Sequence, residues 1–264
     1  MSPPPMRVVK DVLDPARSAA CAAVLGRPVP NDVLPPFWHH LHFWDVSPPD
    51  ALGRDGHPAQ GKSLVPDVGL PRRMWAGGTV YWVAPLHLGR PAERQTRLGP
   101  VQQKKGRSGP LALVCLHHEV WQDGRLCLRE RQDLVYRPDP APDSPAPAPP
   151  RAARAPVERV QVFDDMTLLR YSALTMNGHR IHWDKGYATG VEGHRGLVVH
   201  GPLLAEGLIA LAEAELGPLA HVSYRATAPA VVGETVTFCL DGTRAWVRGA
   251  AGEAYMTAEV RARG

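Results

Sequence analysis

The chain has 264 residues, enough for one large domain or two small ones. Apolar residues make up 44% and charged residues 21%, a balance that excludes a mostly disordered chain and a fibrous repeat. Lys and Arg number 30 against 26 Asp and Glu, a net charge of +4. The densest basic cluster is only Lys104, Lys105 and Arg107, which reads as a solvated turn, so no nucleic-acid partner is expected.

From the N-terminus, Met1 to Lys10 carries no hydrophobic signal core, and no apolar run approaches the ~20 residues that span a bilayer. Cys21, Cys115, Cys127 and Cys239 are far apart and form no C-x-x-C pair, which suits unpaired thiols in a reducing compartment. The expectation is a cytoplasmic protein without a membrane partner. Residues 15–25 and roughly 32–44 are helix candidates, and strands dominate after about Ala76. His39, His40 and His42 beside Trp38 and Trp44 invite a metal, but their spacing fits no common zinc pattern and no metal is expected.

Proline is the unusual count, with 28 in the chain, about double the usual share of roughly 5%. Residues 138–156 (PDPAPDSPAPAPPRAARAP) hold eight prolines and six alanines in 19 positions. Such a stretch cannot build a core and favours an extended spacer. It is read as a linker between units 1–137 and 157–264. Both units carry Ala-Pro-x-x-x-Gly after a strand-like run, at Ala84-Pro85…Gly89 and Ala228-Pro229…Gly233. Each later has a polar turn that feeds a strand, at Asp123-Gly124 and Ala251-Gly252. Same order and similar spacing point to duplication of a β-rich unit.

The second unit has one sharply bounded helix. Gly201-Pro202 opens it, with proline where a missing N–H costs nothing, LLAEGLIALAEAEL follows, and Gly217-Pro218 closes it. From Leu203 to Ala212 only Glu206 is charged, so the helix should be buried, wrapped by the antiparallel sheet of 219–263. The fold class is therefore α+β.

Residues 171–202 (YSALTMNGHRIHWDKGYATGVEGHRGLVVHGP) concentrate His179, His182, His194 and His200 beside Asn177, Asp184 and Glu192, just before that helix. A helix N-terminus offers backbone N–H groups and positive potential, here through Gly201, where an oxyanion could develop. An imidazole nearby can move protons near neutrality. No Rossmann glycine fingerprint and no phosphate-binding loop is present, so no redox cofactor is expected.

NGHRIHWD followed by EGHRGLVVHGPLLA resembles the MaoC-like, or hydratase 2, enoyl-CoA hydratases. It is closer still to the branch of short 3-hydroxyacyl-thioester dehydratases that includes itaconyl-CoA and mesaconyl-CoA hydratases. LPPFWHHLHF (34–43), DGHP (55–58) and PRRMWAGG (71–78) look like the first domain of that branch. The resemblance implies a double hotdog, in which each unit wraps a sheet around a central helix. It also implies a hydro-lyase acting on a CoA thioester, preferably a branched C5 dicarboxylyl one such as itaconyl-, mesaconyl- or citramalyl-CoA, with CoA as part of the substrate and no separate cofactor. The family signature runs Gly-Asp-x-Asn-Pro-(Ile/Leu/Val)-His, and Met176-Asn177-Gly178-His179-Arg180-Ile181-His182 stands in its place. His182 is kept as general acid/base. Asn177 replaces the aspartate and can orient water but not accept a proton. Gly201 N–H would polarise the thioester.

Tyr171, Asp184 and His200 are further candidates for the substrate site, and Arg72, Arg73, Lys185 and Arg195 for the CoA phosphates. Each cation has the simpler reading of a solvated charge, and Asp184 that of a cap. The tryptophans before position 132 read as core packing or as walls of an acyl pocket. The alternatives are a hotdog thioesterase and a non-catalytic acyl-CoA-binding subunit. A monomer or a homodimer fits the duplicated fold.

Overall fold

A computed structural model describes residues 6–106, 109–141 and 148–264. Arg107 and the middle of the Pro/Ala-rich stretch lie outside the described residues. The chain groups into two compact units, one of residues 1–75, 80–138 and 170–179, the other of 76–79, 139–169 and 180–264.

In the first unit β1 (Met6–Val12) leads into α1 (Pro15–Leu25), and β2 (Arg72–Trp82), β3 (Pro91–Gly106), β4 (Gly109–Gln122) and β5 (Arg125–Arg137) follow. Asp14 caps α1 by accepting from Ala16 N–H, Pro15 sits where its missing donor is harmless, and Gly26 ends the helix at φ 62°. The sheet order is β1-β3-β4-β5-β2. On β4 every second residue from Ala112 to Gln122 is buried, the period of a sheet with one covered face. At one end of that face Val114, Leu116, Leu134 and Tyr136 pack with Val65 and Val68 of the long loop before β2.

The second unit repeats the plan. Here β6 (Val157–Val162) leads into α2 (Asp165–Leu174), whose residues from Arg170 on are grouped with the first unit, and after short turns α4 (Gly201–Leu216) precedes β7 (Leu219–Ala226), β8 (Thr235–Asp241), β9 (Arg244–Gly249) and β10 (Ala254–Ala262). A six-residue helix α3 (Lys185–Gly190) lies between α2 and α4. The order β6-β8-β9-β10-β7 mirrors that of the first unit. Even single hydrogen bonds recur. Gly89 N–H donates to Leu13 and Gly233 N–H to Phe163, while Leu88 and Val232 donate to Asp32 and Leu197. Both glycines have positive φ, 74° and 81°, which explains the repeated Ala-Pro-x-x-x-Gly.

The core of the second unit is α4 on its sheet. Leu203, Leu204, Leu208, Ile209 and Leu211 are buried, each contributing about 1.5–3 kcal/mol. Gly207 is required here, because a Cβ would lie 2.3 Å from the Phe238 ring.

The helix expected over 32–44 does not form. Pro35 and Pro36 break the start, Phe37 and Phe43 adopt left-handed φ of 72° and 59°, and only Trp38–Leu41 makes a 3-10 turn. After the matched segment around Leu34 and Val199, this turn stands in the chain where the second unit has α4. Phe37, Trp38, Leu41 and Phe43 are nevertheless buried, so the turn fills the core without helical periodicity. At the other end of the linker stretch, residues 150–153 are tied to the second unit. Ala254 N–H donates to Pro150, Ala152 N–H to Gly252, and Trp246 Nε1–H to Ala153. No helix among the described residues is long and apolar enough to cross a membrane.

Candidate functional site

In the second unit His182 ends a 3-10 turn, Arg180–His182, and is buried. Its Nδ1 lies 2.7 Å from the Val198 carbonyl. A carbonyl only accepts, so Nδ1 carries the hydrogen and Nε2 is the nitrogen that takes up or hands on a proton. The ring stacks on His200 at 3.6 Å between centroids and 19° between planes, which fixes its orientation. His200 is fully buried and is the N-cap residue of α4; Gly201 is the first helical residue, with proline next. The structure thus brings His182, His200 and Gly201 together at the start of a 16-residue helix.

Other candidates in this unit are engaged elsewhere. Asp184 caps α3, accepting from Tyr187 N–H at 3.0 Å, and pairs with Arg180 at 2.7 Å. The Tyr187 N–H and the Arg180 guanidinium hold its carboxyl below the usual range. Arg195 pairs with Glu234 at 2.6 Å, and Lys185 is exposed at the start of α3.

In the first unit Asn177 follows the left-handed Met176, and its Oδ1 accepts from His179 N–H at 3.1 Å. The amide NH2 is then the end suited to donate to a water. Tyr171 is buried in α2. Against this segment lies the DGHP loop. Gly178 faces the Gly56 carbonyl so closely that a Cβ would come within 2.7 Å of it. The His57 ring lies 4.6 Å from that of His179, and His57 Nδ1 is 3.2 Å from Asp55 Oδ2. Burial and then the charge of Arg73 push His57 down to about 3, against the pull of Asp55, so the ring is neutral. Arg72 and Arg73 open β2, both half-buried.

A second buried cluster lies in the same unit. Glu130 on β5 receives His39 Nε2 on one oxygen at 3.1 Å and His40 Nε2 on the other at 3.0 Å. Burial pushes its carboxyl up, but His40 and His39 outweigh that and hold it well below the ordinary value. Burial brings His39 down to about 4. Thr96, His118 and Glu130 stand opposite one another on β3, β4 and β5, and Arg94 donates to the Phe43 carbonyl at 2.8 Å.

His39, His40 and Glu130, and likewise Asp55, His57 and His179, offer three ligand atoms within 4.8 Å. In the first set both imidazoles already hydrogen-bond the carboxylate and in the second His57 does, and an arginine acts on the group: Arg94 on the first and Arg73 on the second. That positive charge opposes a divalent cation, and both sets read as hydrogen-bonded clusters. In the sequence, DGHP by itself assigns no role to Asp55 or His57. Glu130 had no signal beyond a charge at an inward position of a strand.

A family model described as hydroxyacyl-thioester dehydratase type 2 matches residues 37–232. Mesaconyl-C(4)-CoA hydratase of Chloroflexus aurantiacus is 42% identical over 230 residues, covering 84% of this chain and 81% of that protein. The mitochondrial hydroxyacyl-thioester dehydratase type 2 of Saccharomyces cerevisiae is 27% identical over 215 residues, covering 74% and 73%. The crystal structure of HtdX of Mycobacterium tuberculosis matches with a TM-score of 0.70 at 20% identity, covering 97% of this chain and all of that one. A second protein of that organism, described as a double hotdog, matches at 0.59 with 14% identity and coverages of 98% and 96%.

Proposed function

Because the chain belongs to the hydroxyacyl-thioester dehydratase type 2 family and has the double hotdog fold, we propose that it is a hydro-lyase that reversibly hydrates an enoyl-CoA. The preferred substrate class is a branched C5 dicarboxylyl thioester, as the name of the Chloroflexus relative suggests. The observation that carries the reading is the locked His182 imidazole, with its Nδ1 on Val198 and its ring on His200 at the mouth of α4.

The reaction needs a base for water, a proton for the α carbon and a partner for the enolate oxygen. His182 Nε2 takes a proton from water as the water oxygen bonds to the β carbon. The alkene electron pair moves into the thioester, and the imidazolium returns a proton to the α carbon. Asn177 orients the water through its NH2. Gly201 N–H, at the positive end of α4, holds the enolate oxygen; loss of one such donor in other enzymes costs roughly 10²–10³ in rate. The chemistry calls on no cofactor besides the CoA of the substrate. We place the protein in the cytoplasm as a monomer or homodimer; none of its four cysteines forms a disulfide.

A substrate panel tests the reading. Crotonyl-, mesaconyl- and itaconyl-CoA are followed by loss of enoyl-thioester absorbance, with a thiol reagent present in parallel. Loss of absorbance without thiol release is the expected result. Thiol release would make the protein a thioesterase, and tight CoA-ester binding without turnover a binding subunit.

A further inference from the structure

The face of the second unit's sheet turned away from α4 carries a groove. Phe238, Val247 and Met256 pair across β8, β9 and β10 and face α4, because the Phe238 ring meets Gly207. Neighbours along a strand point the other way, so Trp246 on β9, Thr257 on β10 and Arg225 on β7 form a row on the outer face. Glu259 and Arg244 stand opposite each other on that face, two residues further along, about 7 Å away. Residues 151–154 lie beside these side chains, and together they line a groove of about 560 Å³, a size typical of small-ligand sites. The Trp246 indole is half-buried, and its Nε1–H donates to the Ala153 carbonyl at 2.9 Å, which fixes the ring. Arg244 is paired with Asp241 at 3.1 Å. Arg151, Arg154 and Arg225 are exposed, and among the described residues they form no salt bridge, nor does Glu259.

We propose that this groove binds a free nucleoside diphosphate, at a site separate from the one where water is added. The base stacks on the fixed Trp246 ring. The diphosphate lies between Arg225 and the arginines of 151–154, whose guanidiniums present paired N–H donors to phosphate oxygens. A diphosphate carries close to as many negative charges as the groove has arginines without a carboxylate. Trp246 and Arg225 are separated by the one strand β10, about 10 Å, which is the reach from a base to its terminal phosphate. Glu259, displaced along the strands from Arg225, accepts from the ribose hydroxyls. A bare phosphate has nothing for the indole, and an acyl chain leaves the guanidiniums unused. The groove opens on the opposite face of the sheet from α4, at whose start the thioester is placed, so its occupant is a free nucleotide and not the CoA of the substrate. Because Arg151 and Arg154 belong to the stretch tied to Gly252 and Ala254, a ligand held between them and Arg225 also clamps that stretch to the sheet.

The test is calorimetry on the full chain with ADP, in saturating CoA so that the substrate's own nucleotide site is filled. Wild type should bind ADP under these conditions, and inorganic pyrophosphate, which lacks the base, should bind at least about tenfold more weakly. Arg225→Gln should weaken ADP about tenfold and leave the affinity for CoA unchanged. Glu259→Gln should weaken ADP but not pyrophosphate. Hydrogen exchange gives a reading that needs no variant: the amides of Ala152 and Ala254, which donate to Gly252 and Pro150, should exchange more slowly with ADP bound. Absence of ADP binding, its loss when CoA is present, or an equal loss of ADP and CoA affinity in Arg225→Gln overturns the proposal. So does pyrophosphate binding as tight as that of ADP, which would mark a general anion surface, or an ADP affinity indifferent to Arg225 and Glu259. None of these readings involves turnover, so the hydratase reading stands or falls separately.

Discussion

The two units share strand order and turn hydrogen bonds, yet they fill the same place in the chain with opposite materials. In the second unit it is α4, apolar on nearly every side and seated on Phe238 through Gly207. In the first it is a 3-10 turn whose histidines converge on the buried Glu130. A long helix satisfies its own backbone and needs only apolar packing. A short turn must borrow partners from the sheet, and Glu130 and Arg94 supply them. Duplication preserved the frame, while the centre of each copy diverged. The copy with the full helix also has the helix N-terminus at which His182 and Gly201 meet.

That contrast can be broken by mutation. The largest effect is expected from Glu130→Ala, which leaves His39, His40 and Arg94 without their buried carboxylate; urea unfolding should show a loss of about 3–5 kcal/mol. A loss below about 1 kcal/mol would mean that the turn is held by its aromatic residues alone. Gly207→Ala should overpack α4 on Phe238 and cost about 1–3 kcal/mol. Near-neutral behaviour would show that the helix is free to shift. Asp14→Ala removes only the cap of α1, and a loss of about 1 kcal/mol is expected by the same measurement.

Acid should discriminate between the units as well. His39, His42 and His118 are pushed down to about 4 and His57 to about 3, in each case first by burial. All four belong to the first unit. Below the ordinary value near 6.5 the unfolded chain binds protons that these folded histidines refuse. Their stability contribution is therefore complete above about pH 6.5 and is lost as pH falls toward 4. Hydrogen exchange at pH 5 should show β3–β5 losing protection before α4 does; simultaneous loss would contradict a first unit with the more acid-sensitive core.

The frame was legible because its signals are local. Proline at the start and glycine at the end bound α4, and Ala-Pro-x-x-x-Gly repeats because a left-handed glycine is needed twice. The 37–43 turn was not legible. In the sequence Leu34, Phe37, Trp38 and Leu41 have helical spacing, whereas the chain at Phe37 and Phe43 takes a left-handed φ that their residue type does not favour. The role of Asp55 and His57 depends on an approach to residues more than a hundred positions away, through two glycines whose purpose appears only when they touch. His182 and Gly201 could be singled out because one histidine-rich segment runs directly into a helix start.

The central claim is that His182, locked between Val198 and His200, moves the proton in addition of water to an enoyl thioester. The direct measurement is steady-state hydration of mesaconyl-CoA by wild type and His182→Ala. The account predicts a measurable wild-type rate and a fall in kcat of roughly 10²–10⁴-fold in the variant, measured at a temperature where the variant is folded. Hydration by His182→Ala within a few-fold of wild type would contradict it.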